Sequence, residues 1–395
     1  MKISTMRFID RFVGTPACWL SGIIQKVLNR RAPESIESIL VIKFFGLGSI
    51  LLTSPTLRSV REHFPKSNII FLTFSSNSEL LDEIPFIDER WLIDPRTFLS
   101  FLESLILLAA RLMVRKVDVV LDLEFFSKFS TLIGALAHPG RHIGFALPTR
   151  WRTWNVTDSI PLNIHQHVTK TFHDALAPLG IKESGLLTPR IQAKGAEPFS
   201  LLGSLKVRPG AEIICINPNA GKTSLDRRWS SERFSQTIDI LQGGFPNAVF
   251  CLIGARDERE YIEGVIRLTN ATSDRIANLG GSLTLKGLIG LFSHSKLLIT
   301  NDSGPMHIAA SVGLPTVALF GPESPVFYSP VGNRTINLYA GLPCSPCLNV
   351  YDAKIFRCPI NVKCLKEISV DRVVASAKIL LSEQLESVQL EEVAA

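Results

Sequence analysis

Residues 300–322 read TNDSGPMHIAASVGLPTVALFGP. An apolar run ends at Asp302, Ser303 and Gly304 form a turn, and Pro305 opens a helical stretch reaching about Val312. Proline suits a first helical position, where a missing N–H costs nothing. Gly313-Leu314-Pro315 stops the helix before the next apolar run. Such a helix start offers free N–H groups and the positive end of the helix dipole, so it suits a phosphate. Gly304 allows close backbone approach, and His307 in the first turn can add a donor to a diphosphate. A plainer reading has Asp302 or Ser303 capping the helix and His307 packed.

A second segment, NPNAGKTSLDRRWSSERF (217–234), also follows an apolar run and precedes a helical pattern. Lys222, Thr223, Arg227 and Arg228 are residue types that neutralise a diphosphate by charge-assisted hydrogen bonds. Taken alone, the loop reads equally as a solvated basic turn. A third segment, KFFGLGSILLTSP (43–55), turns on Gly46 and Gly48. It lacks the third glycine of a dinucleotide fingerprint, and the stretch about 20 residues on, IIFLTF, has no acid for a ribose. A nicotinamide oxidoreductase is therefore not expected. VDVVLDLEFFSKFS (117–130) puts Asp122 and Glu124 at the carboxyl end of a strand, where a carboxylate can take a proton. Alternatively Asp122 caps the next helix and Glu124 is solvated. Lys43, Arg58 and Arg61 flank the glycine turn, as contacts for an acidic ligand or as surface charges; Arg61 is read as surface.

Cys344, Cys347, Cys358 and Cys364 follow the pattern C-x2-C-x10-C-x5-C. Four thiolates can hold zinc tetrahedrally, but the second spacing is not the usual x2, so a disulfide or plain thiols stay open. Cys215 and Cys251 fall within strand runs and are expected in the core.

The elements that must carry these residues alternate. Strand-like runs lie at 39–43, 68–74, 117–123 and 142–146, with helical runs near 50–64, 97–114 and 127–137. After a Pro- and Gly-bearing stretch the rhythm restarts, with strands at 212–218, 248–254, 296–302 and 316–321 and helices near 230–242, 257–270 and 284–294. Such alternation predicts mostly parallel sheets covered by helices. The expected organisation is a basic N-terminal helix (1–35), a first α/β domain (36–185), a linker (186–211), a second α/β domain (212–380) and an acidic tail (381–395). The two α/β halves are expected to form a ligand cleft between them.

Hydrophobic residues make up 46% of the 395, yet no charge-free run is long enough to span a bilayer. No secretory signal is evident, and seven cysteines suggest a reducing cytosol rather than a disulfide framework. Residues 1–33 carry a net +5 of the chain's +6, so the body is nearly neutral and nucleic-acid binding is not supported. In that segment Phe8, Phe12, Val13, Trp19, Leu20, Ile23, Ile24 and Val27 form one helical stripe. A basic helix of this kind can lie on an anionic membrane, through residues 7–31, or pack on the protein's own body.

GLGSILLTSPTLRSVREHFP (46–65), the NPNAG…RRW segment and above all TNDSGPMHIAASVGLPTVALFGP resemble the glycosyltransferase family 9 heptosyltransferases, over roughly residues 39–375. The resemblance implies a GT-B fold, an α/β architecture of two Rossmann-like domains. It implies an ADP-heptose donor in the C-terminal half, a lipopolysaccharide core or other lipid-linked saccharide acceptor in the N-terminal half, and transfer of a heptose or related sugar with inversion. By position, Asp302, Ser303, Gly304, Pro305, His307 and Arg227 would hold the donor's phosphates, with Lys222 and Thr223 on the same loop. The family's ribose-binding glutamate falls near Arg256, leaving Asp257 or Glu258 in its place. The family's usual base aspartate falls at Ser49, a poor base unless activated. Glu124 and Asp122 are the replacements the sequence offers; the alternative is a sugar-nucleotide-binding protein without transferase activity. Gly46 and Gly48 would form the acceptor-side loop. No metal or other cofactor is expected to be required, and the enzyme is expected in the cytoplasm, peripheral on the inner face of the cytoplasmic membrane.

Overall fold

The computed structural model describes residues 10, 12–27, 33–147, 152–182, 188–191, 210–221, 225–332, 334–348, 350 and 358–394. The chain divides into two compact units, Met1–Arg190 and Ile191–Ala395. Much of the expected linker, and the loop residues Lys222 and Thr223, lie outside the described residues.

The first unit begins with helix α1 (Gly14–Val27), followed by β1 (Ser38–Ile42), α2 (Leu47–Leu51), α3 (Ser54–His63), β2 (Asn68–Phe74), α4 (Ser78–Glu83), β3 (Glu89–Ile93) and α5 (Phe98–Val114). Then come β4 (Val119–Asp122), α6 (Lys128–Leu136), β5 (Arg141–Ala146), β6 (Asp158–Pro161) and α7 (Val168–Asp174). Its six strands lie in the order β3-β2-β1-β4-β5-β6, every pair parallel. The inner strands are buried on both faces, which is why SILVI and NIIFLTF read as continuous apolar runs. One core cluster joins Leu40, Ile42, Leu72 and Val120 of the strands to Leu108 and Leu112 of α5 and Ile133 of α6, so α5 and α6 cover the same face of the sheet. A Thr97/Ser100 capping box starts α5 and Ser127 caps α6.

Helix α1 packs by its small residues, all buried: Gly14 and Cys18 against Lys128 at the start of α6, and Gly22 against Trp154. A Cβ at Gly22 would come within 2.9 Å of the Trp154 Cβ, so the helix can approach this closely only with glycine there. Gln25 donates to the Ala135 carbonyl (2.9 Å), and Asp10 accepts from the N–H groups of Lys128 (2.8 Å) and Phe129 (2.9 Å) at the start of α6. The apolar stripe of the helix therefore faces outward: Trp19, Leu20, Ile23 and Ile24 are exposed.

The second unit repeats the architecture with β7 (Glu212–Asn217), α8 (Ser231–Gly244), β8 (Ala248–Leu252), α9 (Arg259–Arg267), β9 (Ile276–Asn278) and α10 (Leu285–Ser293). It continues through β10 (Leu297–Asn301), α11 (Gly304–Ser311), β11 (Thr316–Phe320), α12 (Pro325–Tyr328), β12 (Thr335–Tyr339), α13 (Lys363–Lys366) and α14 (Val370–Ala394). Its sheet, β12-β11-β10-β7-β8-β9, is again all parallel. Counted from each unit's own first strand, both sheets have the order 3-2-1-4-5-6. In such sheets ligands bind outside the strand carboxyl ends where the order reverses. That switch point lies between β1 and β4 in the first unit and between β7 and β10 in the second.

Candidate functional site

In the second unit the switch point is built by asparagines. Asn217, ending β7, donates to Thr300 Oγ1 (3.0 Å) and Ser303 Oγ (2.7 Å). Asn301, ending β10, donates to the Pro218 carbonyl (2.8 Å) and accepts from the Trp229 N–H (3.0 Å). Both side chains are buried, so these bonds hold Pro218 and Trp229 against the strand ends. Trp229, buried against Phe234, anchors the far end of the loop.

Helix α11 starts at this point. Ser303 is its N-cap residue, but its side chain makes no capping bond, because the hydroxyl is held by Asn217. Proline at the second helical position contributes no N–H. The half-buried surface of Ser303, Gly304 and Pro305 thus presents a helix N-terminus without a side-chain cap. Asp302 does not cap it either. Its carboxylate accepts from Arg227 Nη1 (3.1 Å), and the same nitrogen donates to the Asp302 carbonyl (3.1 Å). Arg227 Nη2 also donates to the Ala220 carbonyl. The guanidinium is fixed across the loop with its buried Nε unpartnered among the described residues.

Arg228 stacks on Tyr261 at 4.3 Å and lies 3.6 Å from Glu258, while its Nε is also buried and unpartnered among the described residues. Asn219 Oδ1 is a third such atom. Glu258 folds back to accept from the Ala255 N–H (2.9 Å) beyond β8, whereas Arg256 and Asp257 are exposed. Of the two acids the sequence offered there, Glu258 is the one drawn to this crevice. His307 is buried in the first turns of α11.

The first unit's switch point is filled differently. Gly46 has φ +84°, which only glycine adopts cheaply, and it precedes α2, with Gly48 buried and Ser49 half-buried. Glu124 is fully buried and its Oε1 accepts from Lys43 Nζ (2.9 Å) and from the N–H groups of Phe44 (2.7 Å) and Phe45 (2.9 Å). These bonds fix the strand end that leads into the glycine turn. Glu124 Oε2 has no partner among the described residues. The alternative reading of Glu124 as a solvated residue is therefore wrong.

Asp122 does not cap α6, a role taken by Ser127. Its fully buried carboxylate is ion-paired with Arg152 and accepts from Thr131 Oγ1 (2.8 Å), Ser130 Oγ (3.1 Å) and the Glu124 N–H (3.2 Å). Arg152 also donates to the Glu124 carbonyl and to Thr131 Oγ1 (2.9 Å). With both oxygens accepting, Asp122 braces the segment that carries Glu124. Arg61 is a structural residue, paired with Asp88 and donating to the Ser67 carbonyl (2.7 Å), and Arg58 lies 3.8 Å from Glu62.

Cys344, Cys347, Cys358 and Cys364 are free thiols. Burial and the neighbouring Cys364, Cys358 and Cys344 push the Cys347 thiol up to about 11. Among the described residues no group of three or more His, Cys, Asp or Glu is arranged to hold a metal ion.

Sequence reasoning missed Asn217, Asn301, Arg152 and the Lys43–Glu124 pair. The asparagines had a signal: each ends an apolar strand run, where a buried amide must bond to something. Arg152 had none.

The family model for glycosyltransferase family 9 (heptosyltransferase) matches residues 106–354. Lipooligosaccharide heptosyltransferase 2 of Campylobacter jejuni is 28% identical over 346 residues, covering 85% of this chain and 95% of the relative. A crystal structure of a family 9 glycosyl transferase from Veillonella parvula superposes with a TM-score of 0.72 at 25% identity, covering 89% of this chain and 99% of the other. The structure of Escherichia coli ADP-heptose lps heptosyltransferase II gives 0.71 at 19% identity, covering 88% and 99%.

Proposed function

The chain belongs to glycosyltransferase family 9 and has the GT-B fold, and on that premise we propose that it moves a heptose from ADP-heptose to a hydroxyl of a lipid-linked saccharide of the lipopolysaccharide core type. One observation carries the donor half of this reading: Arg227, with a buried, unspent Nε, is bonded to Asp302 beside a helix N-terminus that has no side-chain cap, at the switch point of the second sheet, and Arg228, the next residue, keeps a second such Nε. A diphosphate would satisfy both arginines and the helix start.

In the proposed reaction the acceptor oxygen attacks the anomeric carbon from the face opposite the diphosphate. The bond from that carbon to the β-phosphate oxygen breaks, and the configuration inverts. Charge grows on the departing diphosphate, where Arg227, Arg228 and the first N–H groups of α11 would meet it. Ser303, Gly304, Pro305 and His307 would line this pocket, with Lys222 and Thr223 as further contacts from the loop. Asp302 would act through Arg227, since a carboxylate repels a phosphate and this one already holds the guanidinium. Glu258 would take the ribose hydroxyls. These cationic donors would supply the charge neutralisation for which other transferases use a divalent metal.

The acceptor's proton would pass to Glu124, whose Oε2 is the spare carboxylate oxygen at the first unit's switch point. Gly46 and Gly48 would form the wall that admits the acceptor, and the enzyme would work at the inner face of the cytoplasmic membrane. The rival reading, donor binding without transfer, is favoured by Ser49 and by the Lys43 pairing of Glu124. ADP release from ADP-heptose, measured with core-truncated lipopolysaccharide precursors, separates the two. Acceptor-dependent release supports transfer, and calorimetric donor binding without release supports the rival.

A further inference from the structure

The first unit presents large apolar side chains to solvent from two helices on one side of its sheet. Helix α1 packs inward through Gly14, Cys18 and Gly22 and turns Trp19, Leu20, Ile23 and Ile24 outward. Helix α5 does the same over about 25 Å. Leu99 (74% exposed), Leu102, Ile106 and Met113 (82% exposed) follow one another on its outer side, and Glu103 and Arg111 are its only charged residues. A surface helix normally shows polar residues on that side. Both helices lie against α6: Cys18 Sγ of α1 is 4.0 Å from the Lys128 carbonyl, and the ring of Phe129 of α6 lies 5.7 Å from Phe101 of α5. Exposed apolar area carried on neighbouring elements marks an interaction surface.

We propose that this face, α1 and α5 together, docks on an anionic lipid bilayer. The proposal rests on the reading that the acceptor is anchored in lipid. Charge selects the occupant. Arg7, Arg11, Lys26, Arg30 and Arg31 bracket the α1 stripe in sequence. Anionic headgroups attract such a set, whereas a twofold contact with a second copy would set it against itself. Docking is interfacial: among the described residues no helix is long and apolar enough to cross a membrane.

The test is flotation of the full chain with vesicles of phosphatidylethanolamine and phosphatidylglycerol, beside vesicles of phosphatidylcholine alone. The wild type binds the anionic vesicles, and added salt weakens binding. Leu99→Glu with Ile106→Glu on α5, or Trp19→Glu with Ile23→Glu on α1, each lowers partition by about tenfold or more. Ile240→Glu with Leu268→Glu, exposed apolar positions of the second unit, leaves it unchanged. Circular dichroism confirms that each variant is folded. Flotation of the α5 variant equal to wild type overturns the proposal. So does a wild type that ignores vesicles but sediments as a dimer that the same variants dissociate. Vesicle binding with no transfer to any acceptor would sink the proposed reaction and leave the docking surface standing. Transfer to a delipidated acceptor should survive in all these variants.

Discussion

The two units share one strand order and place their candidate residues at the same topological point, yet they treat charge in opposite ways. In the second unit Arg227 and Arg228 keep buried donors in reserve. In the first, Lys43 is paired with Glu124 and Arg152 with Asp122, and every carboxylate oxygen of these four groups except Glu124 Oε2 has a partner among the described residues. A site that receives a diphosphate needs unspent cationic donors. A site that receives a neutral hydroxyl needs a rigid wall and one acceptor for a proton. The same scaffold can therefore serve two ligand chemistries by changing which charges are satisfied internally.

The sharpest way to break this contrast is Glu124→Gln. The amide keeps an oxygen for the Phe44 and Phe45 N–H groups but cannot take a proton. Transfer should fall by about 10²–10⁴-fold, the usual worth of a general base, while calorimetric ADP binding stays as in wild type. Retained turnover would move the base elsewhere. Close in size is Arg152→Met, which leaves the Asp122 carboxylate without its cationic partner in a buried site. It should cost about 3–5 kcal/mol of stability, read as a lower urea midpoint for the first unit. A midpoint within error of wild type would show that water reaches Asp122.

On the donor side Arg227→Ala should lower kcat/KM for ADP-heptose by about 10²–10³-fold, the worth of one preorganised donor to developing charge. ADP affinity should fall with it. An affinity loss without a change in kcat would mean that Arg227 holds the ground state and the leaving charge equally.

Legibility from sequence divided along physical lines. All eight strands expected from apolar runs are present, and the four missed, β3, β6, β9 and β12, are the edges of the two sheets. An inner strand buried on both faces is largely apolar, while an edge strand such as DSIP, half-exposed along its length, has no such constraint. The α11 start was legible because glycine and proline mark a helix N-terminus whatever the distant chain does. The bracing of Asp122 was not. Its partner Arg152 lies 30 residues away, in a stretch with no periodicity and no motif. Local chemistry can be read from spacing, but a buried ion pair depends on which distant side chain the fold delivers.

Ser49 gives the smallest expected effect and the most direct check on the first unit's role. It stands where the resembled family carries its base, at the third residue of α2, half-buried and beside the close approach of Gly46, whose added Cβ would lie 3.2 Å from the Ser49 Cβ. A serine hydroxyl holds its proton at any working pH unless a neighbouring base removes it. If Glu124 accepts the acceptor's proton, Ser49→Ala deletes only a weak polar contact. The rate should then change by less than about threefold, under 1 kcal/mol of barrier. A loss approaching that of Glu124→Gln would mean that the hydroxyl lies in the proton's path, with Glu124 acting behind it. Combining the two substitutions settles which holds: independent roles multiply, whereas members of one relay lose no more together than the worse of them alone.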